Sequence, residues 1–122
     1  LPISLHFDAN GGYLEFDRTS PLWRNGGKVE LMRALPATAR PAAFVGDGVT
    51  DLETKSTVDL FVGYGGVATR PLVQAGAEAW FATPSLAPLL AIVLTDAERA
   101  ALRLESRFAD LVHRSEPSPA RP

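Results

Sequence analysis

The sequence predicts an α/β fold: a parallel sheet with helices on both faces and a β-hairpin at one edge. Three observations lead there. Two stretches near the start alternate apolar and polar residues on either side of Asn10-Gly11-Gly12, the pattern of a hairpin with a glycine-containing loop. Three short apolar runs follow, at 42–45, 59–62 and 79–82. Segments with helical spacing separate those runs, and short strands alternating with short helices favour parallel pairing.

The elements follow in order. Residues 3–8 and 13–17 form the hairpin. Val29, Leu31, Met32 and Leu35 recur at helical spacing, so 27–35 is predicted as a short helix, and Pro36 and Pro41 bound the connector after it. The run 42–45 carries no charge, as expected of a strand buried on both faces, and it stops at Gly46-Asp47-Gly48. Helix is predicted at 50–56, then the strand 59–62, ended by Gly63-Tyr64-Gly65-Gly66. A helix at 69–75 is expected to use Thr69 as N-cap, with Gly76 just past its end. After the run 79–82, residues 83–94 suit a helix with Pro84 in its first turn. The segment 96–113 reads as one amphipathic helix capped around Thr95, with Ala97, Ala100, Leu104, Phe108 and Leu111 on one face. Arg99, Arg103 and Arg107 line the opposite face. A solvated surface is the plainer reading of that stripe, because Glu98, Glu105 and Asp110 break up its field, and phosphate binding is the other. The last stretch, 114–122, is rich in Pro, Ser and Ala and is expected to be a flexible tail.

Composition narrows the function. The 122 residues carry 12 basic and 14 acidic side chains, a net charge of -2, which gives no reason to expect nucleic acid or an anionic membrane as partner. No apolar run has the length of a membrane-spanning helix. The absence of cysteine excludes a disulfide framework and any Cys-based metal site or nucleophile, and it fits a cytoplasmic setting. Ten of the basic residues are Arg and two are Lys, so lysine chemistry must use Lys28 or Lys55. The chain begins at Leu1, close to its first strand, which is expected of a piece of a longer chain.

Parallel sheets place ligands at the carboxyl ends of their strands. At one such end lies Val45-Gly46-Asp47-Gly48-Val49-Thr50-Asp51. Asp47 would project into the crevice, and Gly46 and Gly48 would let a ligand approach without a Cβ in the way. Carboxylate oxygens suit a hard cation such as Mg²⁺, held by few protein ligands and completed by water and phosphate. Asp51, one turn on, could accept from a lysine and orient it. An Asp-Gly turn that merely starts a helix accounts for the same residues. Lys28 follows Gly26-Gly27 at a predicted helix start, where a compact positive charge could hold a phosphoryl group. An exposed surface lysine is the alternative. Neighbouring motifs fail on inspection. A G-x-G-x-x-G fingerprint would need glycine where Asp51 stands, and Val29 after Lys28 cannot ligate a P-loop metal.

Gly26-Gly27-Lys28-Val29 followed by Gly46-Asp47-Gly48-Val49-Thr50-Asp51 resembles the third and fourth motifs of the haloacid dehalogenase superfamily. The continuation Phe61-Val62-Gly63-Tyr64-Gly65-Gly66, with Arg70 beyond, resembles the phosphoserine phosphatase branch of that superfamily, and the likeness covers about residues 3–94. The resemblance implies a partial Rossmann-like core at 1–94, followed by the 95–113 helix and the 114–122 tail. It implies that Asp47 ligates Mg²⁺, that Asp51 positions Lys28, that Lys28 binds the phosphoryl group, and that Thr50 contacts substrate. The implied reaction is hydrolysis of a small phosphomonoester, O-phospho-L-serine foremost, through an aspartyl-phosphate.

One departure is decisive. The family's D-x-D nucleophile motif is absent; Asp51-Leu52-Glu53 and Asp96-Ala97-Glu98 come nearest, and neither follows a buried strand. The expectation is therefore a C-terminal part that lacks the nucleophile and the cap domain, is inactive alone, and has the missing N-terminal segment as its partner. Exposed apolar surface and an open strand edge would make it prone to oligomerise. A phosphatase for another small ester, or a non-catalytic phosphate- or partner-binding module, are the alternatives.

Overall fold

The computed structural model describes residues 3–116. The hairpin forms as the alternation predicts, β1 (Leu5–Phe7) pairing antiparallel with β2 (Tyr13–Phe16). Its loop is closed locally. The Asp8 carboxylate accepts from the backbone N–H of Asn10 at 2.9 Å and of Gly12 at 2.8 Å, while Gly11 takes φ 81°. At the hairpin's exit the Thr19 hydroxyl and backbone N–H donate to Asp17 and hold its carboxyl below the usual value.

Its placement differs from the expectation. Among the described residues the hairpin is a separate two-stranded sheet and does not extend the edge of the parallel one. Its rings pack locally, Phe7 on Tyr13 and Phe16 on Trp23, each pair at 6.2 Å between centroids. Leu5, Phe7, Tyr13 and Leu14 all stay more than half exposed. Alternation specifies that two strands pair, but not which further edge they join.

The parallel sheet forms from β3 (Ala43–Gly46), β4 (Leu60–Tyr64) and β5 (Ala79–Phe81), in that spatial order, but β3 is not buried on both faces: it lies at the edge, with Ala43 exposed and Phe44 and Val45 half-buried. Phe44 lies opposite Phe61 and Gly46 opposite Gly63, and the first pair stacks at 6.3 Å. Phe61 and Val62 are neighbours in β4, so they point to opposite faces, and both are completely buried. Both faces of the central strand are therefore covered. Val73 and Val112, from helices described below, are equally buried and complete the core with Phe81 and Ala87.

The helices are shorter than their apolar spacing predicts, for local reasons. α1 (Gly27–Arg33) stops before Leu35, because Pro36 disfavours helical backbone in the residue before it. The predicted 50–56 helix divides into α2 (Val49–Leu52) and a 3-10 turn (Glu53–Thr57). There the Thr54 and Thr57 hydroxyls donate to the carbonyls of Asp51 and Thr54, both at 2.6 Å, and this three-residue spacing tightens the coil. α3 (Pro71–Gly76) takes Arg70 as N-cap, not Thr69, and Gly76 is its last residue rather than the one beyond. Pro71 sets that start, since its fixed φ suits the first helical position. In the same way α4 (Pro88–Val93) begins at Pro88 and not near Pro84. The residues before it turn through the Ser85 hydroxyl, which accepts from the Ala87 N–H at 3.1 Å.

The single helix expected at 96–113 is two: α5 (Asp96–Arg103) and α6 (Ser106–Ser115). Thr95 caps α5 as predicted, accepting from the Glu98 N–H at 3.2 Å while Glu98 accepts from the Thr95 N–H at 2.7 Å. Glu105 breaks the run with extended backbone (φ -87°, ψ 113°), so that α6 folds back on α5. The break also disperses the arginine stripe. Arg99 pairs with Asp96, Arg103 with Glu116 and Arg107 with Glu105, so each positive charge already has a carboxylate. Arg114 and Ser115 belong to α6 rather than to a tail, and 117–122 lie outside the described residues. No helix among the described residues is long and apolar enough to cross a membrane.

Candidate functional site

The fold gathers the motif residues at the carboxyl end of β3. Gly46 ends the strand, Asp47 and Gly48 turn, and α2 begins at Val49 with Thr50 and Asp51 in its first turn. The turn is held by Asp51. Its Oδ2 accepts from the Gly48 backbone N–H at 3.0 Å, the reach-back of an acidic residue at the third helical position to the cap. Gly46 makes this possible by close approach. A Cβ there would stand 2.3 Å from the Asp51 Cβ and 2.5 Å from its Oδ2, so any side chain would displace the carboxylate.

Lys28 arrives from a different element. Gly26, in the left-handed region at φ 76°, turns the chain into α1, and Lys28 is that helix's second residue. α1 lies against the Glu53–Thr57 turn, which brings the lysine across a separation of 23 residues to Asp51. Lys28 Nζ stands 2.5 Å from Asp51 Oδ1 and 3.5 Å from Thr50 Oγ1. Asp51 is 8% exposed, whereas the Lys28 side chain is 42% exposed. Both Asp51 oxygens are thereby engaged, one by the lysine and one by the Gly48 N–H. An ammonium carries three donors, so one beyond these two contacts is left on Lys28. Beside it a cavity of about 190 Å³ is lined by Trp23, Asn25, Lys28, Thr50 and Glu53.

Asp47 has a different partner, Arg70. Its Oδ2 accepts from Arg70 Nη1 at 3.1 Å, and the same nitrogen lies 3.3 Å from the Asp47 carbonyl oxygen. Among the described residues Oδ1 has no such partner, and the side chain is 44% exposed. Arg70 is given no role by the resemblance; its signal in the sequence is its place just past the Gly65-Gly66 pair. Among the described residues, no group of three acidic, His or Cys side chains could hold a metal ion. Mg²⁺, however, characteristically takes one or two carboxylates and fills its octahedron with water and phosphate oxygens. A single glycine-flanked carboxylate with one open oxygen fits that demand as one member of a ligand set.

The second glycine-rich end, after β4, is filled by protein. The Trp80 indole covers Gly63 and Gly65, where added Cβ atoms would stand 2.6 and 2.2 Å from its ring carbons. Tyr64 Oη donates to the Thr83 carbonyl at 3.3 Å. Its contribution to the site is Arg70, delivered by the loop that follows. Lys55, the other lysine, donates to the Gly76 carbonyl at 2.9 Å and stays apart from the cluster.

No family model matches the chain. Named proteins do. It is 38% identical over 81 residues to phosphoserine phosphatase of Bos taurus, a match covering 65% of this chain and 36% of that protein. It is 37% identical over 79 residues to the chloroplastic phosphoserine phosphatase of Arabidopsis thaliana, covering 62% and 27%. Against the Drosophila melanogaster phosphoserine phosphatase it is 39% identical over 75 residues, covering 59% and 28%. The chain thus spans about a third of the length of the curated relatives it matches. With its parallel sheet and the Lys28–Asp51 and Asp47 loop arrangement, it resembles the haloacid dehalogenase superfamily and is similar, over about two thirds of its own length, to part of a phosphoserine phosphatase.

Proposed function

We propose that this chain supplies the phosphoryl-binding and cation-binding portion of a phosphatase that hydrolyses a small phosphomonoester, O-phospho-L-serine foremost. The observation that carries the reading is the pairing of Lys28 with the buried Asp51, one helical turn from a carboxylate that keeps an open oxygen. The names of the relatives support phosphoserine as the substrate.

Each residue then has a task. Asp51 holds Lys28 aimed, so that its remaining donor meets a phosphoryl oxygen without reorganisation during the reaction. The Thr50 hydroxyl lies beside it as a second donor. Asp47 would hold Mg²⁺ through Oδ1, and the ion when bound would offset the negative charge that spreads over the phosphoryl oxygens. The attacking carboxylate comes from outside this sequence. Its oxygen would form the bond to phosphorus as the ester oxygen departs, and water would then release phosphate from the acyl-phosphate. One feature of the sheet supports such an arrangement. Among the described residues β3 pairs only with β4, so its outer edge is open to a further parallel strand whose carboxyl end would lie next to Asp47. In this reading residues 1–94 are part of the core domain of a longer cytoplasmic enzyme.

The test combines the chain with a segment carrying D-x-D-x-T. Mg²⁺-dependent release of phosphate from O-phospho-L-serine is expected from the combination and not from the chain alone. Asp47→Asn should remove most of it. Unchanged turnover in that variant would sink the assignment, and a faster rate on another phosphate ester would move the substrate.

A further inference from the structure

We propose that Arg70 is a positioning residue for Asp47, fixing the carboxylate so that Oδ1 stays open toward a divalent cation. The inference rests on the reading of Asp47 as a cation ligand and adds a residue that the motif comparison left without a role. One nitrogen, Nη1, meets both the carbonyl oxygen and Oδ2 of Asp47, at 3.3 and 3.1 Å. Bridging a residue's main chain and side chain with one donor restricts its χ1 and χ2 together. An aspartate between two glycines has little else to restrict it, since neither neighbour has a side chain to pack against. Among the described residues only Oδ2 is engaged, so the guanidinium leaves the other oxygen its lone pairs. The loop after β4 delivers Arg70, with Pro71 fixing the start of α3 immediately behind it. The pair therefore also ties the carboxyl ends of two adjacent strands together.

Because one nitrogen makes both contacts, a lysine ammonium can replace it, whereas an uncharged isostere cannot. The chain is titrated with Mn²⁺ alone while paramagnetic broadening of the Gly46–Thr50 amide signals is followed by NMR. Wild type should broaden selectively at these residues, and Asp47→Asn should abolish the selectivity. Arg70→Met should raise the Mn²⁺ concentration needed for half-broadening by about tenfold, the usual effect of losing a group that orients a metal ligand, while Arg70→Lys should stay within about twofold of wild type. Thermal unfolding of each variant separates loss of orientation from loss of fold. Equal or tighter Mn²⁺ binding by folded Arg70→Met overturns the inference alone. Mn²⁺ binding that ignores Asp47→Asn, or no selective broadening in wild type, overturns it together with the assignment of Asp47.

Discussion

At the scale of single residues, exposure separates the Lys28–Asp51 pair from the other ion pairs. Arg24–Glu30 has the same 2.5 Å separation, but its side chains are 45% and 54% exposed, and water competes for both. Asp51 keeps 11% side-chain exposure and depends on two donors. A double-mutant cycle of Lys28→Met and Asp51→Asn, read by urea denaturation, should give a coupling of about 1–2 kcal/mol. The same cycle on Arg24 and Glu30 should give roughly 0–0.5 kcal/mol, as is usual for exposed pairs. Equal couplings would show that burial of Asp51 does not strengthen its contact with the lysine. The identities of Lys28, Asp47, Thr50 and Asp51 as candidates were legible in their spacing. The bond from Arg70 to Asp47 was not, because 23 residues and a strand separate them.

At the scale of elements, proline and short polar side chains decided boundaries that apolar periodicity left open. Thr95 and Thr69 make the point. Both precede helix-like runs, and both were expected to cap. Thr95 accepts from the Glu98 N–H and does cap; Thr69 stands one residue before the Arg70 N-cap. Thr95→Ala should therefore cost about 1 kcal/mol, the usual worth of an N-cap hydroxyl. Thr69→Ala should stay within about 0.5 kcal/mol of wild type, as for other surface substitutions. Chemical denaturation of the two variants side by side checks both, and an equal loss would return Thr69 to a capping role. The division of 96–113 into α5 and α6 has a similar cause. Thr95 and Glu98 bound the start of the first helix, and the turn at Leu104 and Glu105 ends it and begins α6, which buries Val112.

At the scale of the whole molecule, the hairpin and the sheet edges dominate behaviour. Leu5, Phe7, Tyr13 and Leu14 are 55–62% exposed on a hairpin that joins no larger sheet among the described residues. Apolar surface of this kind, with open parallel edges nearby, favours association. Sedimentation of the chain should show mass rising with concentration, and Leu5→Thr with Phe7→Thr should reduce it; a monomer at every concentration would contradict this. The sequence by itself determined the strands, the order of helices between them, and the candidate residues for phosphate chemistry. Those properties depend on alternation, helical spacing and side-chain type, all local in the chain. Only the tertiary structure decided that α1 lies where Lys28 reaches Asp51, that Arg70 takes one oxygen of Asp47 and leaves the other, and that the hairpin stands apart from the parallel sheet. Those depend on contacts between residues distant in sequence, and they are set by which buried faces pack together rather than by any local pattern.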